Sequence, residues 1–280
     1  MPQQDKYSAV WVSHSSISDF LKCPRLYYLK NIYKNERGKK VSLTAPALSL
    51  GIAVHETVEG LKNYKVQERF SKPLEEIFEK EWVKVSGKMG GFKTPEEEAE
   101  AKERGKNMIL RVAQNPGPLL NKTIKLPAAH NGMPPNYFIS QEDNIILNGK
   151  IDWLEYIEAD DSLRVIDFKT GKNEEKKDSL QLPIYMLLLT ALQKRKISGA
   201  AYWYLDKDNS PVDVPLPDIK KAHNIVLAHA RTIKLAREKN EFNCPKGSGG
   251  CFACKPMEKI LKGEAEFVGI GNYGQEIYIV

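Results

Sequence analysis

The chain has 280 residues, 41% hydrophobic and 28% charged, the make-up of a globular protein large enough to bury a substantial core. No apolar run approaches the ~20 residues that a membrane span needs, and Met1-Pro-Gln-Gln-Asp-Lys6 lacks the apolar centre of a secretory signal, so a cytoplasmic location is expected. The net charge of +6, from 42 basic against 36 acidic residues, suits a polyanionic partner without establishing one.

Ser16-Ile-Ser-Asp19 has the Ser-x-x-acid form of a capping box and predicts a helix from there to about Tyr33. Cys23-Pro24 interrupts it, so the helix either kinks or begins again at Pro24. A basic loop, Lys34–Lys40, leads to a second helix expected from about Ala47 to Tyr64. On it His55 and Glu59 are four residues apart and share a face. Gly51, one turn earlier, leaves room for another backbone to approach. A histidine on a helix usually serves packing or surface; one able to reach a pair of carboxylates would be a third metal ligand. Pro73–Val85 and Pro95–Ala113 read as further helices, each opened by proline and early glutamates, and Asn115-Pro-Gly-Pro118 is a break. Short strands are expected near Lys122–Leu126 and Tyr137–Ser140.

The centre of the chain is a pair of runs rich in β-branched and aromatic residues, Ile145–Ile157 and Leu163–Lys172, joined by a polar connection. They predict two adjacent antiparallel strands. Side chains alternate along a strand, so Asp167 and Lys169 share a face while Phe168 points into packing; Lys150, Asp152 and Leu154 share a face on the first run. If the two faces meet, two carboxylates and an ammonium converge. Crowded carboxylates suit a hard divalent cation, and a neighbouring lysine suits phosphodiester hydrolysis. The bland reading is a solvated hairpin.

Ser179–Thr190 is a strongly apolar helix carrying Gln181 and Tyr185 one turn apart, either as an interior hydrogen bond or facing the carboxylates. Ala200–Leu205 reads as an edge or central strand and Pro217–Lys239 as a basic helix. No Gly-x-x-x-x-Gly-Lys-Ser/Thr loop and no Gly-x-Ser-x-Gly elbow occurs, which argues against a motor ATPase or a serine hydrolase. Cys244, Cys251 and Cys254 form a C-x6-C-x2-C cluster with metal-ligand spacing. Three cysteines are an incomplete tetrahedral set, and Cys23, the one other cysteine, is the economical fourth ligand.

Five motifs stand in one order: Ser-x6-Cys-Pro-x2-Tyr-Tyr at Ser16–Tyr28, Gly-x3-His-x3-Glu at Gly51–Glu59, Gly-x2-Asp at Gly149–Asp152, Asp-x-Lys-Thr-Gly at Asp167–Gly171, and Gln-x3-Tyr at Gln181–Tyr185. Together they resemble the RecB-like nucleases of the PD-(D/E)XK superfamily, which include recombination exonuclease domains and CRISPR-adaptation nucleases. The resemblance implies a single restriction-endonuclease-like α/β domain over residues 1–280, with a mixed central sheet flanked by helices, a helical insertion at about 64–121 and a Cys-rich C-terminal loop. It implies Mg2+ or Mn2+ held by His55, Asp152, Asp167 and the Phe168 carbonyl, with Lys169 as the catalytic lysine and Gln181 and Tyr185 orienting the substrate strand. It also implies a [4Fe–4S] cluster on Cys23, Cys244, Cys251 and Cys254. The family's cysteines usually place C-x2-C first, and the reversed order here keeps Zn2+ as the alternative. The expected activity is deoxyribonuclease action on single strands or ends, in repair, recombination or CRISPR adaptation. DNA is the expected partner, with a helicase or adaptation proteins beside it and no membrane. The rival is a non-catalytic DNA-binding or scaffold module that keeps the fold. The basic loops Lys34–Lys40 and Lys172–Lys177 are expected to flank the site.

Overall fold

The computed structural model describes residues 6–127 and 133–280. Residues 1–5, on which most of the signal reading rests, lie outside that description. In chain order come β1 (Val10–Val12), α1 (His14–Lys22), α2 (Pro24–Tyr27), a π-helical turn (Tyr28–Ile32), β2 (Val41–Leu43), α3 (Pro46–Gly60), α4 (Leu74–Val83) and α5 (Pro95–Gln114). There follow β3 (Asn136–Ser140), β4 (Ile145–Asn148), β5 (Trp153–Ile157), β6 (Ser162–Lys169), α6 (Gln181–Leu192), β7 (Lys196–Tyr204) and β8 (Val212–Val214). The last are α7 (Ile219–Lys239), α8 (Lys255–Leu261), β9 (Glu266–Ile270) and β10 (Glu276–Ile279). No helix among the described residues is long and apolar enough to cross a membrane.

The architecture is mixed α/β, with mixed sheets flanked by helices. One sheet runs β5-β6-β7-β8, antiparallel, parallel and antiparallel in turn. A second runs β1-β4-β3 and a third β2-β10-β9. One face of β5-β6-β7, with Trp153, Ile166, Phe168, Ala201 and Trp203, packs on α3, α4 and α5, so residues 64–121 share a core with this sheet. The other face carries Leu154, Val165 and Ala200, packed on Leu182 and Leu189 of α6. From its far side α6 sends Ile184, Leu187 and Leu188 into the β1-β4-β3 sheet and α7. A helix buried on both sides must be apolar all round, which is why Leu182–Leu189 carries so little polarity. Full burial of one such leucine contributes about 1.5–3 kcal/mol.

Several expectations change. Ile145–Ile157 is two strands in different sheets, β4 and β5, rather than one. The chain leaves β4 at Gly149, where an added Cβ would lie 2.9 Å from Leu188 Cδ1 of α6, so the crossing is too tight for a larger residue. The first helix is capped by Ser13, whose side chain accepts from Ser16 N while the Ser16 hydroxyl accepts from Ser13 N. The reciprocal box therefore sits three residues earlier than the sequence suggested, and Asp19 is freed to pair with Lys30 at 2.9 Å. That helix ends at Lys22 and a new one begins at Pro24. Of the Lys122–Leu126 strand only a bridge between Thr123 and Glu155 forms. β7 is central, between β6 and β8. The Lys34–Lys40 loop is anchored on the third sheet, with Arg37 2.8 Å from Glu276 of β10.

Candidate active site

The site forms where α3 crosses the ends of β5 and β6. A Cβ on Gly51 would lie 3.2 Å from Thr170 Oγ1, so the glycine lets the helix close onto the residue that follows Lys169. Arg104 of α5 locks the same point, donating from Nη2 to the Thr170 carbonyl at 2.8 Å and pairing with Asp206 at 2.9 Å. With α3 fixed there, His55 reaches the sheet end: its Nδ1 lies 3.2 Å from Glu59 Oε1 and 3.5 Å from Asp152 Oδ2. Ligand atoms of His55, Glu59 and Asp152 all lie within 4.8 Å of one another.

Asp152 precedes β5 rather than lying within it. The β5–β6 register pairs Trp153 with Ile166; continued by one residue, it sets Asp152 opposite Asp167. Asp152 Oδ2 accepts from Phe168 N at 2.9 Å, and the Phe168 ring packs 6.0 Å from Trp203. Lys169 Nζ lies 2.9 Å from Asp167 Oδ2 and 2.6 Å from Glu175 Oε2, and donates to Gln181 Oε1 at 2.6 Å. Gln181 Nε2 donates to Asp167 Oδ1 at 2.6 Å and to the Tyr185 hydroxyl at 3.1 Å. The α6 pair does both: Gln181 and Tyr185 hydrogen-bond to each other, and Gln181 also faces the carboxylates.

Burial first, and then the charge of Asp167, push Asp152 up to about 8. Burial also raises Asp167, against the pull of Lys169. For Glu59 burial acts upward, but the His55 hydrogen bond and the charges of Lys62 and Lys150 prevail and hold it down at about 2. Burial acts to lower His55, yet the Glu59 hydrogen bond and the Asp152 charge outweigh it, so the ring titrates above its ordinary value. Asp167 Oδ2 is buried and lies 2.9 Å from the Lys169 ammonium. Two buried carboxylates that crowd each other, one of them resisting ionisation, fit a hard divalent cation.

Two neighbours went unassigned in the sequence. Glu59 belongs to the His55–Asp152 cluster, and its four-residue offset from His55 was the available signal. His14, in the first turn of α1, feels Glu175, Lys169 and Asp167, and burial holds it below its ordinary value. Nothing in the local sequence of α1 points to β6.

The four cysteines also meet. Cys23 fills the gap between α1 and α2, in extended backbone at φ −171°. Its sulfur and those of Cys244, Cys251 and Cys254 lie within 4.8 Å of one another, with Cys254 Sγ 3.7 Å from Cys244 Sγ and 3.8 Å from Cys251 Sγ. All four are free thiols. The Cys251 N–H donates to Cys254 Sγ at 3.2 Å, and Gly250, at φ +69°, would set a Cβ 3.2 Å from that sulfur. Burial pushes Cys254 up to about 12 and raises Cys23, while a hydrogen bond from the Cys254 backbone holds Cys251 at about 6. Four converging sulfurs, cradled by N–H groups and a glycine, fit a thiophilic metal.

A family model described as the PD-(D/E)XK nuclease superfamily matches residues 11–258. No curated protein matches the chain.

Proposed function

Because the chain belongs to the PD-(D/E)XK nuclease superfamily, a family of metal-dependent nucleases, we propose that it is a deoxyribonuclease acting on single-stranded DNA or DNA ends, as an exonuclease of repair, recombination or CRISPR adaptation. A helicase or adaptation proteins are its proposed partners. The observation that carries the reading is the convergence of His55, Glu59 and Asp152, their ligand atoms within 4.8 Å of one another, with Lys169 2.9 Å from the neighbouring Asp167. His55, Glu59, Asp152 and Asp167 are the side chains that would hold Mg2+ or Mn2+, with the Phe168 carbonyl as a further oxygen. An ion there supplies neutralisation of the scissile phosphate and a more acidic water.

The chain's own groups do the rest. Lys169 keeps a proton on Nζ, its charge directed to where negative charge develops on the phosphate. Gln181 binds Lys169 through its oxygen and Asp167 through its nitrogen, which fixes the spacing of the two. The Tyr185 hydroxyl in turn holds the Gln181 amide in its orientation. Phe168 N–H holds Asp152, so one strand positions both carboxylates.

The test is DNA labelled at either end, single- and double-stranded, incubated with Mg2+, Mn2+ or EDTA. Cleavage with metal, absent in EDTA and in Asp167→Ala and Lys169→Ala, is expected. Tight DNA binding without cleavage under any metal would transfer the protein to the non-catalytic class.

The cysteine set we assign to a resident metal centre. The family resemblance supports [4Fe–4S]. The sulfur separations of 3.7 and 3.8 Å support a second reading, one tetrahedral Zn2+, because sulfurs ~2.3 Å from a single ion stand about 3.8 Å apart. A cubane instead spreads its four thiolates over four irons. Protein purified without oxygen and analysed for metals distinguishes them: brown with about four irons per chain for the cluster, colourless with a single zinc for the tetrahedral site.

A further inference from the structure

The face that carries Asp167 and Lys169 continues sideways onto β7. In the parallel β6–β7 register Asp167 stands opposite Tyr202 and Lys169 opposite Tyr204, and residues opposite one another in a sheet share a face. The two tyrosines thus extend the carboxylate–lysine row into a groove of about 790 Å3 that is completed by Leu182, Val212 and Leu216. Lys169 Nζ lies 5.1 Å from the Tyr202 ring centre and Lys207 Nζ 4.8 Å from that of Tyr204. Lys176 and Lys177, from the loop between β6 and α6, also border the groove. Its two glutamates are already engaged, Glu175 with Lys169 at 2.6 Å and Glu174 with Lys207 at 2.8 Å. Val212 and Leu216 are 48% and 40% exposed and leave apolar surface open along the groove.

An apolar and aromatic slot with ammonium groups along its border matches a flat base attached to a phosphate chain. Its volume lies within the roughly 300–1,000 Å3 of small-ligand sites. A base paired inside a duplex cannot enter such a slot, whereas an unpaired one can. We propose that this groove receives unpaired nucleobases of the strand being cut, beside the scissile phosphate, so that single-stranded DNA or a frayed end is taken in preference to an intact duplex. The proposal rests on the nuclease reading of the adjoining site. Contact is through ring surface rather than base-edge hydrogen bonds, so sequence preference is weak.

The test uses the full chain in EDTA, where no cleavage occurs. Anisotropy gives the affinity for labelled oligo(dT) and for an oligonucleotide of the same length made of abasic nucleotides. Wild type should bind oligo(dT) at least about tenfold more tightly than the abasic strand. Val212→Trp fills the slot from an exposed position and should erase that difference; Leu216→Trp, from a second exposed position, should do the same. Equal wild-type affinity for the two strands overturns the proposal, as does a folded Trp variant that keeps the full difference. Cleavage with no base dependence removes the groove and leaves the nuclease. Base dependence with no cleavage under any metal removes the nuclease and leaves the groove.

Discussion

At Asp152 burial, and then the charge of Asp167, push the carboxyl up to about 8. Between the ordinary carboxylate range and about 8, folded metal-free protein keeps a proton that the unfolded chain has released. The folded state then binds more protons, so stability falls as pH rises through that window. His55, raised as well, acts in the same direction. Glu59 acts oppositely, but its window, between about 2 and its ordinary 4.5, lies lower. The Tm of metal-free protein should therefore drop from pH 5 to pH 8, and Asp152→Asn should flatten the slope. Because a ligating carboxylate must lose its proton, Mn2+ affinity by calorimetry should rise by up to about tenfold per pH unit over the same range. His55→Ala and Glu59→Gln should each weaken Mn2+ binding while the fold survives; unchanged affinity in both would confine that helix face to packing. Asp167 and Lys169 were legible as a pair because strand alternation sets them on one face, whereas the approach of His55 to Asp152 depends on α3 being held against Thr170. Glu59 had local signals in His55 one turn before it and Lys62 three residues after it, while its pairing with Lys150 and the place of His14 depend on how distant elements dock, which a local pattern does not encode.

Among elements, those governed by near neighbours were the ones read correctly. α5 and α7 carry capping residues in sequence, Thr94 and Asp218, α3 opens on a proline, and the β5–β6 hairpin needs only a short turn. The errors fall where distant chain decides. The Asn148-Gly149 pair inside Ile145–Ile157 is a local turn signal, but that the strands on either side of it join different sheets is decided by distant chain. β2 pairs in parallel with β10 across more than 200 residues, beyond any local signal. Gly149→Val should cost about 1–3 kcal/mol, because the added side chain meets a packed helix; a thermal scan checks it. Arg104 joins α5 to the Thr170 carbonyl and Asp206, and Arg104→Ala should cost about 1–3 kcal/mol by leaving both partners unmatched. Urea unfolding measures that loss, and a wild-type midpoint would show the clamp to be idle.

On the scale of the whole molecule, the cysteine centre is the one covalently capable link between the first helices and the last loop. Three cysteines in one loop and one far away made this clasp legible; the sequence pattern carries no distances, so the metal stayed open. Holding Cys23 to Cys244 closes a loop of more than 200 residues, and a constraint of that span restricts the unfolded chain by about 5 kcal/mol on a chain-entropy basis. Cys23→Ser should therefore lose the metal and much of the stability, seen as low metal content and rapid proteolysis near both ends of the clasp. Full metal retention in that variant would dissolve the clasp. The excess of basic residues, with Lys176 and Lys177 beside the candidate site, predicts DNA affinity that declines steeply with salt.

The clasp also sets a timetable for biosynthesis. Cys23 emerges from the ribosome more than 200 residues before its partners, a wait of roughly 10–45 s at ordinary elongation rates of about 5–20 residues per second. Throughout that interval it is a lone thiol between two nascent helices, open to oxidation or to capture by the wrong metal. His55, Asp152 and Asp167 are all translated by then, so the hydrolytic site can take shape before the clasp closes. Translation order therefore allows a stage with the candidate site assembled and the clasp still open, which ends when the three later cysteines and their metal arrive.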